Sequence, residues 1–445
     1  MSRDALLLTS GMAVGAALAY VYSKQATAAS PPPNLRSEPE ATVEDGRTGG
    51  SLKIPAADLR SFVAAVFVKC GVKEDEAETA AEVLILADVR GIDSHGIARL
   101  AAYYNMLTQG IINPRPVVTI VRETDSTATV DGDNGLGLIV GPKANAIAME
   151  KASKAGSGWV AVRNTNHYGI AGGYSLAALE KDMIGISMTN SGSVVAPLWG
   201  RQRMLGTNPI AIAFPGEKER PMVIDFATSV VPWGKVEEHA RKGEQLLPGW
   251  AICANGEQEL SPEKVLGSGA LMNLGGDREH SGHKGFCLAA MVDVLCAVLS
   301  GGNWGPTVDG FTTHKANYGD ETEAAGASFD EPQQSGEEEK AVGIGHFFGA
   351  MRIDGFRDVR SFKRTMDTWM TTFRACAPVD PNHPVLVPGD PEWEASDVRS
   401  AEGVPVKLSV LADLLDVARG AGVPPPFDEA AVDLGGIKRV KVERA

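Results

Sequence analysis

Helix and strand patterns alternate along this chain, and that alternation limits the fold more than any other feature. Apolar residues recur at helical spacing in residues 55–70, 75–90 and 284–299. Short apolar runs with strand character lie between them, over residues 117–121, 127–130, 159–162, 184–189, 210–214 and 222–226. This interleaving is typical of α/β proteins, in which helices cover a sheet. With 445 residues, the chain can build one large core or two domains.

The usual nucleotide-binding and hydrolase motifs are missing from these segments. No GxGxxG follows a strand, and no GxxxxGK(S/T), HExxH or GxSxG occurs. Gly135, Gly137 and Gly141 come near the first motif, but their spacing is wrong. A conventional Rossmann domain is therefore not expected.

The first 50 residues differ in composition from the rest. Residues 5–22 are almost uncharged, and as a helix they would span about 27 Å, close to the roughly 30 Å core of a bilayer. Residues 1–25 are therefore interpreted as a transmembrane anchor or an organelle or secretory targeting segment, with a dispensable tail on a cytoplasmic protein as the alternative. Residues 26–50 are polar and rich in proline, which predicts a disordered linker. The folded region should begin near Ser51.

The charge of the chain is concentrated in one segment. The net charge is −14, and residues 319–340 hold eight acidic residues and one lysine, a net of −7. This segment is predicted to be a disordered acidic insertion. No basic face is evident, so no nucleic-acid partner is expected. The five cysteines show no CxxC spacing, and no metal site is predicted from them.

The most informative segment is DVRGIDSHGIARL, residues 88–100. A helix predicted over residues 93–107 would place His95 in its first turn and Arg99 four residues later on the same face. The free N–H groups of that turn favour an anion. Arg99 can hold a carboxylate through two parallel hydrogen bonds, and His95 can give a proton to a ketone oxygen. In the alternative interpretation, Ser94 is only a helix cap, and His95 and Arg99 are surface residues.

Further polar clusters stand where predicted strands end. The segment NTNHYGIAGGY places His167 after one strand, where it can act as an acid or base, provide a polar contact, or be an ordinary loop histidine. Asp225 ends another strand and can orient a ligand or histidine, or cap a turn. The segment LGTNP contains Thr207 and Asn208, which we assign to the substrate pocket.

The segment SGHKG precedes the helix predicted over residues 284–299. Glycines, Lys284 and free N–H groups at a helix start are suited to a phosphate. His280 and His283 are three residues apart and could chelate a metal. No cysteine or carboxylate partner set accompanies them, so a metal is not predicted.

Together these segments resemble the malate/L-lactate dehydrogenase family, which lacks a Rossmann fold. They follow the family order over about residues 54–406. The matching segments are DVRGIDSHGIARL, NHYGIAGGY, MTNSGSVVAPLWG, RMLGTNPIAIAFP, IDFATSVV with WGKV, LPGWA, GHKGFCLAAMVDVL with SGG, GHFFGAMRIDGF and VPGDPEWE. Relatives in the family include ureidoglycolate dehydrogenase, sulfolactate dehydrogenase, 2,3-diketo-L-gulonate reductase and cyclic-imine carboxylate reductases.

The resemblance implies a particular architecture. The fold would be a non-Rossmann three-layer α/β/α arrangement with a mixed sheet, like that of sulfolactate dehydrogenase, with a helical N-terminal part. The catalytic region would cover residues 51–420 as two interleaved subdomains, with the cofactor-binding part at about residues 125–310. The resemblance also implies a homodimer.

The resemblance implies an oxidoreductase that uses NAD or NADP and acts on a 2-hydroxy or 2-keto acid such as malate or lactate. His95 would be the proton donor or acceptor with Ser94 beside it, Asp225 and His167 would assist, and Arg99 would bind the substrate carboxylate. The residues that would contact the cofactor are Ser191, Phe226, Ala227, His283, Lys284, Gly345, His346 and Phe347. Two alternatives fit the same sequence: a cyclic-imine carboxylate reductase, and a non-catalytic nucleotide-binding scaffold.

Overall fold

The computed structural model describes residues 50–308 and 343–432. The predicted N-terminal segment at residues 1–25, nearly all of the predicted linker and the acidic insertion at residues 319–340 lie outside these ranges. For the residues that the structure describes, the transmembrane prediction is corrected. Within the described ranges, no helix combines the length and the apolar composition needed to cross a membrane. The 19-residue helix Gly137–Ala155 has the length, but it carries three lysines and a glutamate.

Eleven α-helices and eleven strands are formed by the described residues. The helices are α1 (Ala56–Lys69), α2 (Glu74–Val89), α3 (Leu100–Thr108), α4 (Gly137–Ala155), α5 (Ala171–Ala177), α6 (Trp233–Lys242), α7 (Pro262–Ser268), α8 (Gly282–Asp293), α9 (Val359–Arg374), α10 (Asp390–Glu402) and α11 (Leu408–Ala421). The strands are β1 (Ser51–Ile54), β2 (Thr119–Glu123), β3 (Thr127–Gly135), β4 (Ser157–Thr165), β5 (Met183–Thr189), β6 (Ile210–Phe214), β7 (Met222–Phe226), β8 (Ala251–Ile252), β9 (Ala270–Leu271), β10 (Ile344–Arg352) and β11 (Val404–Lys407).

The central sheet has seven strands in the order β2-β3-β4-β10-β5-β6-β7. β3 and β4 run parallel, and the other neighbours are antiparallel, so the sheet is mixed. β10 comes late in the chain but lies between β4 and β5. Two small sheets, β1-β11 and β8-β9, accompany it.

Helices cover both faces of this sheet. Since successive residues of a strand point to opposite sides, neighbouring residues pack against different helices. On β4, Val160 and Val162 join the large core that also contains residues of α2 and α4. The neighbouring Ala161 packs instead with Val292 and Cys296, which lie in α8 and the turn that follows it. The three-layer α/β/α arrangement with a mixed sheet is thereby confirmed. The predicted helical N-terminal part is formed by α1, α2 and α3, with α11 packed against them.

The helix predicted over residues 284–299 is only partly regular. It runs from Gly282 to Asp293 and then changes to a π-helical turn, Val294–Val298. The wider turn rotates the following side chains relative to an ideal helix. Around this turn, Val294, Val298 and Leu299 are more than half exposed, and Met291 in the helix before it is 40% exposed.

Candidate active site

The segment that carries Ser94, His95 and Arg99 is not the continuous helix that the sequence predicted. Two 3₁₀ turns, Asp93–His95 and Ile97–Arg99, are separated by Gly96, whose φ of −98° and ψ of −139° are neither helical nor those of a β-strand. The α-helix begins only at Leu100. The prediction that His95 occupies the first turn of an α-helix is therefore wrong, and so is the helix-dipole argument attached to it.

Local hydrogen bonds arrange the polar groups of these turns. Ser94 Oγ and His95 Nδ1 are 2.8 Å apart, and Arg99 Nε donates to the Ser94 carbonyl oxygen at 2.6 Å. The first turn of α6 covers the guanidinium, since a Cβ placed on Gly234 would lie 3.6 Å from Arg99 Nη2. Of the guanidinium nitrogens of Arg99, only Nε makes a hydrogen bond within the described residues.

His167 enters the same cleft from the end of β4. Its ring stacks on that of His95, with centroids 5.5 Å apart and an interplanar angle of 26°. The Tyr103 hydroxyl lies 2.6 Å from His167 Nδ1, and the Gly169 N–H donates to the same nitrogen at 3.4 Å. Because a backbone N–H can only donate, Nδ1 is the acceptor and the neutral ring carries its proton on Nε2.

Both histidines are held in the neutral form at neutral pH. Burial, with a smaller effect from the Arg99 charge, lowers the pKa of His95 from 6.5 to about 4. Burial also lowers the pKa of His167 well below 6.5, and the neighbouring His95 and Arg99 add to the effect. Each ring is half-buried, so one edge stays open to the cleft. Perturbed groups converging in one cleft are typical of functional sites.

Asp225 ends β7 and is linked to the segment that follows His167. Its Oδ2 accepts the Gly172 N–H at 2.7 Å. The residue is exposed, but desolvation of its carboxyl group by the surrounding protein raises the pKa from 3.8 to about 6. The Gly172 N–H and the charge of the buried Arg90 act in the opposite direction. The guanidinium of Arg90 lies over the Trp393 ring, 4.8 Å from its centroid.

The residues predicted near the substrate and cofactor at the ends of β5, β6 and β7 form a connected group. Ser191 Oγ accepts the Thr207 N–H at 3.1 Å, and the Thr228 N–H donates to the Thr207 carbonyl at 2.9 Å. Phe226 and Ala227, just before Thr228, are half-buried. Gly206 is required here, since a Cβ would come within 2.2 Å of Ser191 Oγ.

The structure gives two of the predicted site residues a packing role. Asn208 is fully buried, and its Nδ2 donates to the Ala289 carbonyl of α8 at 3.0 Å. His346 is also fully buried, stacked 4.4 Å from Tyr168 and bonded through Nδ1 to Thr189 Oγ1 at 2.8 Å. Neither side chain is accessible to a ligand in this arrangement. Gly345 and Phe347, the neighbours of His346 in β10, are buried as well.

The start of α8 differs from the predicted phosphate cradle. The preceding loop fills part of the space at the N-terminus of α8. The Gly282 N–H donates to the Asp277 carbonyl at 2.6 Å, and a Cβ on Gly282 would lie 1.9 Å from the Gly276 oxygen. His283 Nδ1 bonds to Arg278, and Lys284 is exposed. Among the described residues, no group of three histidines, cysteines or carboxylates could hold a metal ion.

Tyr103 is the contact that the sequence analysis missed. It is fully buried on α3 and bonds His167 across 64 residues of sequence. The available signal was its position four residues after Arg99, which places it on the same helix face if the helix continues. The cleft thus joins Ser94, His95 and Arg99 from one segment with His167 and Tyr103 from two others.

A mixed sheet with helices on both faces and a cleft of neutral histidines beside an arginine defines an α/β enzyme without a Rossmann motif. Comparison with known proteins then places the chain more narrowly. The model of the malate/L-lactate dehydrogenase family matches residues 54–415. The chain belongs to the malate/L-lactate dehydrogenase family, as the sequence resemblance predicted, and is thereby an oxidoreductase.

Individual relatives agree with this family. A malate dehydrogenase of Pyrococcus abyssi is 42% identical over 373 residues, covering 84% of this chain and 96% of the relative. An L-sulfolactate dehydrogenase of Methanocaldococcus jannaschii is 34% identical over 364 residues, covering 82% and 96%. The crystal structure of malate dehydrogenase from Entamoeba histolytica matches with a TM-score of 0.75 and 32% identity, covering 85% of this chain and all of that chain.

Proposed function

We propose that this protein transfers a hydride between a nicotinamide cofactor, NAD or NADP, and a 2-hydroxy or 2-keto acid of the malate and lactate type. The observation that carries the proposal is the stacking of His95 on His167 next to the Arg99 guanidinium. Relatives named malate and sulfolactate dehydrogenase support the same substrate class.

Arg99 would bind the substrate carboxylate. Its Nε is engaged by the Ser94 carbonyl, which fixes the guanidinium plane and leaves Nη1 and Nη2 for the two carboxylate oxygens. A carboxylate bound there would also offset the positive charge that helps to keep His95 neutral. Substrate binding would therefore favour the protonated form of His95.

His95 would exchange the proton with the substrate oxygen. Its Nδ1 partner is the Ser94 hydroxyl, which can donate or accept, so the His95 ring can change its protonation without losing that bond. When the hydroxy acid is oxidised, its O–H proton would pass to His95 and its C–H would leave as hydride. In the reverse direction, His95 would return the proton to the keto oxygen. His167, held with its proton on Nε2, would donate a hydrogen bond to the substrate from the other side of the cleft.

The nicotinamide cofactor would supply the hydride acceptor or donor. The residues at the ends of β5 and β7 fit such a ring. Ser191 Oγ and the carboxyl of Asp225 offer hydrogen bonds to an amide, and Phe226 offers apolar surface. Lys284 is exposed and could meet a cofactor phosphate. The cofactor-binding part would cover about residues 125–310, within a catalytic region of residues 51–420.

The same groups would also accept a cyclic imine carboxylate, which presents a carboxylate beside an electrophilic carbon. That activity is kept as the second candidate because Arg99 and His95 would keep their roles on such a substrate.

We also propose a homodimer. Met291, Val294 and Val298 follow one another at helical spacing across α8 and its π-helical turn and are 40–55% exposed, so they form an apolar strip that a second copy could cover. Sedimentation should give twice the chain mass for the wild type. Val298→Glu should sediment as a monomer.

The test is an absorbance assay on the full chain. Loss of NADH and of NADPH is followed with pyruvate, oxaloacetate, 2-ketoglutarate, glyoxylate and a cyclic imine carboxylate. We expect turnover with a 2-keto acid, and His95→Ala should lower kcat by about 10²–10⁴-fold while cofactor binding is retained. Unchanged turnover in His95→Ala would overturn the role of His95, and turnover restricted to the imine would favour the second candidate.

A further inference from the structure

Asp88 is buried directly beneath the loop that carries Ser94, His95 and Arg99. It lies in the last turn of α2 and is 2% exposed. Its Oδ2 accepts the Ile97 N–H at 2.6 Å. The carboxylate also lies so close to Gly96 that a Cβ there would come within 2.2 Å of both of its oxygens. Only glycine lets the loop approach Asp88 in this way.

This contact explains why the predicted helix is interrupted. In a continuous α-helix, the Ile97 N–H would donate to the carbonyl four residues earlier, at Asp93. Here the Asp88 carboxylate accepts that N–H, and the backbone angles of Gly96 are not helical. The chain therefore forms two separate 3₁₀ turns, and each of them carries one of the groups assigned to the substrate.

We propose that Asp88 is a positioning residue, whose carboxylate oxygen, by accepting the Ile97 N–H beneath Gly96, sets the placement of the His95 imidazole relative to the Arg99 guanidinium. The inference rests on the proposed function, in which these two groups act on one substrate. In a continuous helix, His95 and Arg99 would lie along one face. In the interrupted loop, Arg99 turns back to the Ser94 carbonyl instead.

The acceptor oxygen carries this role, and a full negative charge is not needed for it. Burial raises the pKa of the Asp88 carboxyl well above its ordinary range, and the nearby Asp93 adds to the rise. The Ile97 N–H and the Arg399 charge act in the opposite direction. Arg399 of α10 also donates to the Asp88 backbone carbonyl at 2.7 Å and pairs with Asp93, so the loop is held from a second side.

Two substitutions distinguish the role of the hydrogen-bond acceptor oxygen of Asp88 from the role of its negative charge. Asp88→Asn keeps an oxygen that can accept the Ile97 N–H, whereas Asp88→Ala removes it. A matched control is Asp367→Ala, because Asp367 accepts the N–H groups of Glu217, Lys218 and Glu219 in the turn between β6 and β7. That turn lies at the end of the hairpin opposite to Asp225 and Phe226.

We expect Asp88→Asn to keep kcat within about threefold of the wild type and Asp88→Ala to lose about 10–100-fold, as for a lost hydrogen bond to a buried carboxyl group. Cofactor binding should be retained in both variants. Asp367→Ala should lower the melting temperature without changing kcat per folded molecule. Equal losses in the Asn and Ala variants would overturn the acceptor role. If the loss of activity in Asp88→Ala is fully explained by a smaller fraction of folded molecules, Asp88 stabilises the fold and does not position His95.

A second readout needs no turnover. The ring signals of His95 can be assigned by comparison with His95→Asn and titrated by NMR. Asp88→Ala should shift the His95 pKa by at least about half a unit, and Asp88→Asn should leave it in place. If the wild type turned over no substrate, the proposed function would fail, whereas this titration would still decide the role of Asp88. An unchanged His95 pKa in Asp88→Ala would contradict the positioning role of Asp88.

Discussion

In the cleft, His167 bonds to Tyr103, 64 residues earlier in the chain, whereas at the start of α8 His283 bonds to Arg278, five residues earlier. The contrast extends to their neighbours. Asp225 bonds to Gly172 across 53 residues, and the exposed His280 bonds to Asp277 across three. Both regions present histidines and charged groups near the start of a helix or the end of a strand.

The difference teaches how a reactive group is obtained. Long-range contacts surround the His95 ring with protein on several sides, and that enclosure lowers its pKa from 6.5 to about 4. Contacts within one loop leave Arg278, His280 and Lys284 exposed. The SGHKG segment looks like a site in the sequence because its charges are adjacent, but adjacency alone does not enclose them.

Among the substitutions that compare these two regions, the largest effect should come from the Arg99 guanidinium. Arg99→Lys keeps the charge but loses both the bond to the Ser94 carbonyl and the forked contact with a carboxylate. We expect the KM for the keto acid to rise about 100-fold at saturating cofactor. The control Arg278→Lys, in the exposed loop, should change the KM by less than twofold. Equal effects of the two substitutions would remove the distinction between the regions.

A smaller effect should appear in the acid dependence of stability. The pKa of His95 is about 4 in the folded protein and about 6.5 when unfolded, so the unfolded chain binds more protons between these values. The contribution of His95 to stability is therefore complete above pH 6.5 and is lost as the pH falls towards 4.

His95→Asn should remove that loss. Between pH 8 and pH 5, the wild type should lose about 1 kcal/mol more unfolding free energy than the variant, after allowance for partial exposure of the ring. Urea unfolding of both proteins at pH 8 and pH 5 measures this difference in unfolding free energy. Identical pH dependence in both proteins would show that the ring is not enclosed in the way described.

The smallest effect is expected at Lys284. If this exposed lysine meets a cofactor phosphate, Lys284→Ala should raise the cofactor KM about threefold and leave kcat unchanged, because an exposed charge pair is weak. His280→Ala is the matched control and should change neither constant. A much larger rise in Lys284→Ala would mean that this loop becomes enclosed when the cofactor binds.

Much of the sheet could be predicted from the sequence. β6 and β7 were predicted with the boundaries that the structure has, since their apolar runs are short and bounded by polar residues. The interruption at Gly96 could not be predicted, because its cause is a carboxylate that contacts the loop only in the folded chain. The late insertion of β10 between β4 and β5 is likewise a feature of tertiary pairing, which local patterns do not contain.

The candidate site was predictable only where its residues are close in sequence. Ser94, His95 and Arg99 fall within six residues, so one sequence motif contains all three and predicts them together. Tyr103 was missed because a tyrosine on an apolar helix face is typical of a core residue. Asn208 and His346 stay predictions: each makes one hydrogen bond within the core, while Asn208 Oδ1 and His346 Nε2 have no hydrogen-bond partner among the described residues.

The bond from Arg399 to the Asp88 carbonyl joins residues 311 positions apart. During synthesis at about 5–20 residues per second, the segment with His95 and Arg99 would leave the ribosome about 15–60 s before Arg399 is made. A nascent chain therefore lacks one of the two supports of this loop for most of its translation. A chain ended by a nonsense codon between residues 226 and 399 would carry every proposed catalytic residue and still lack this support.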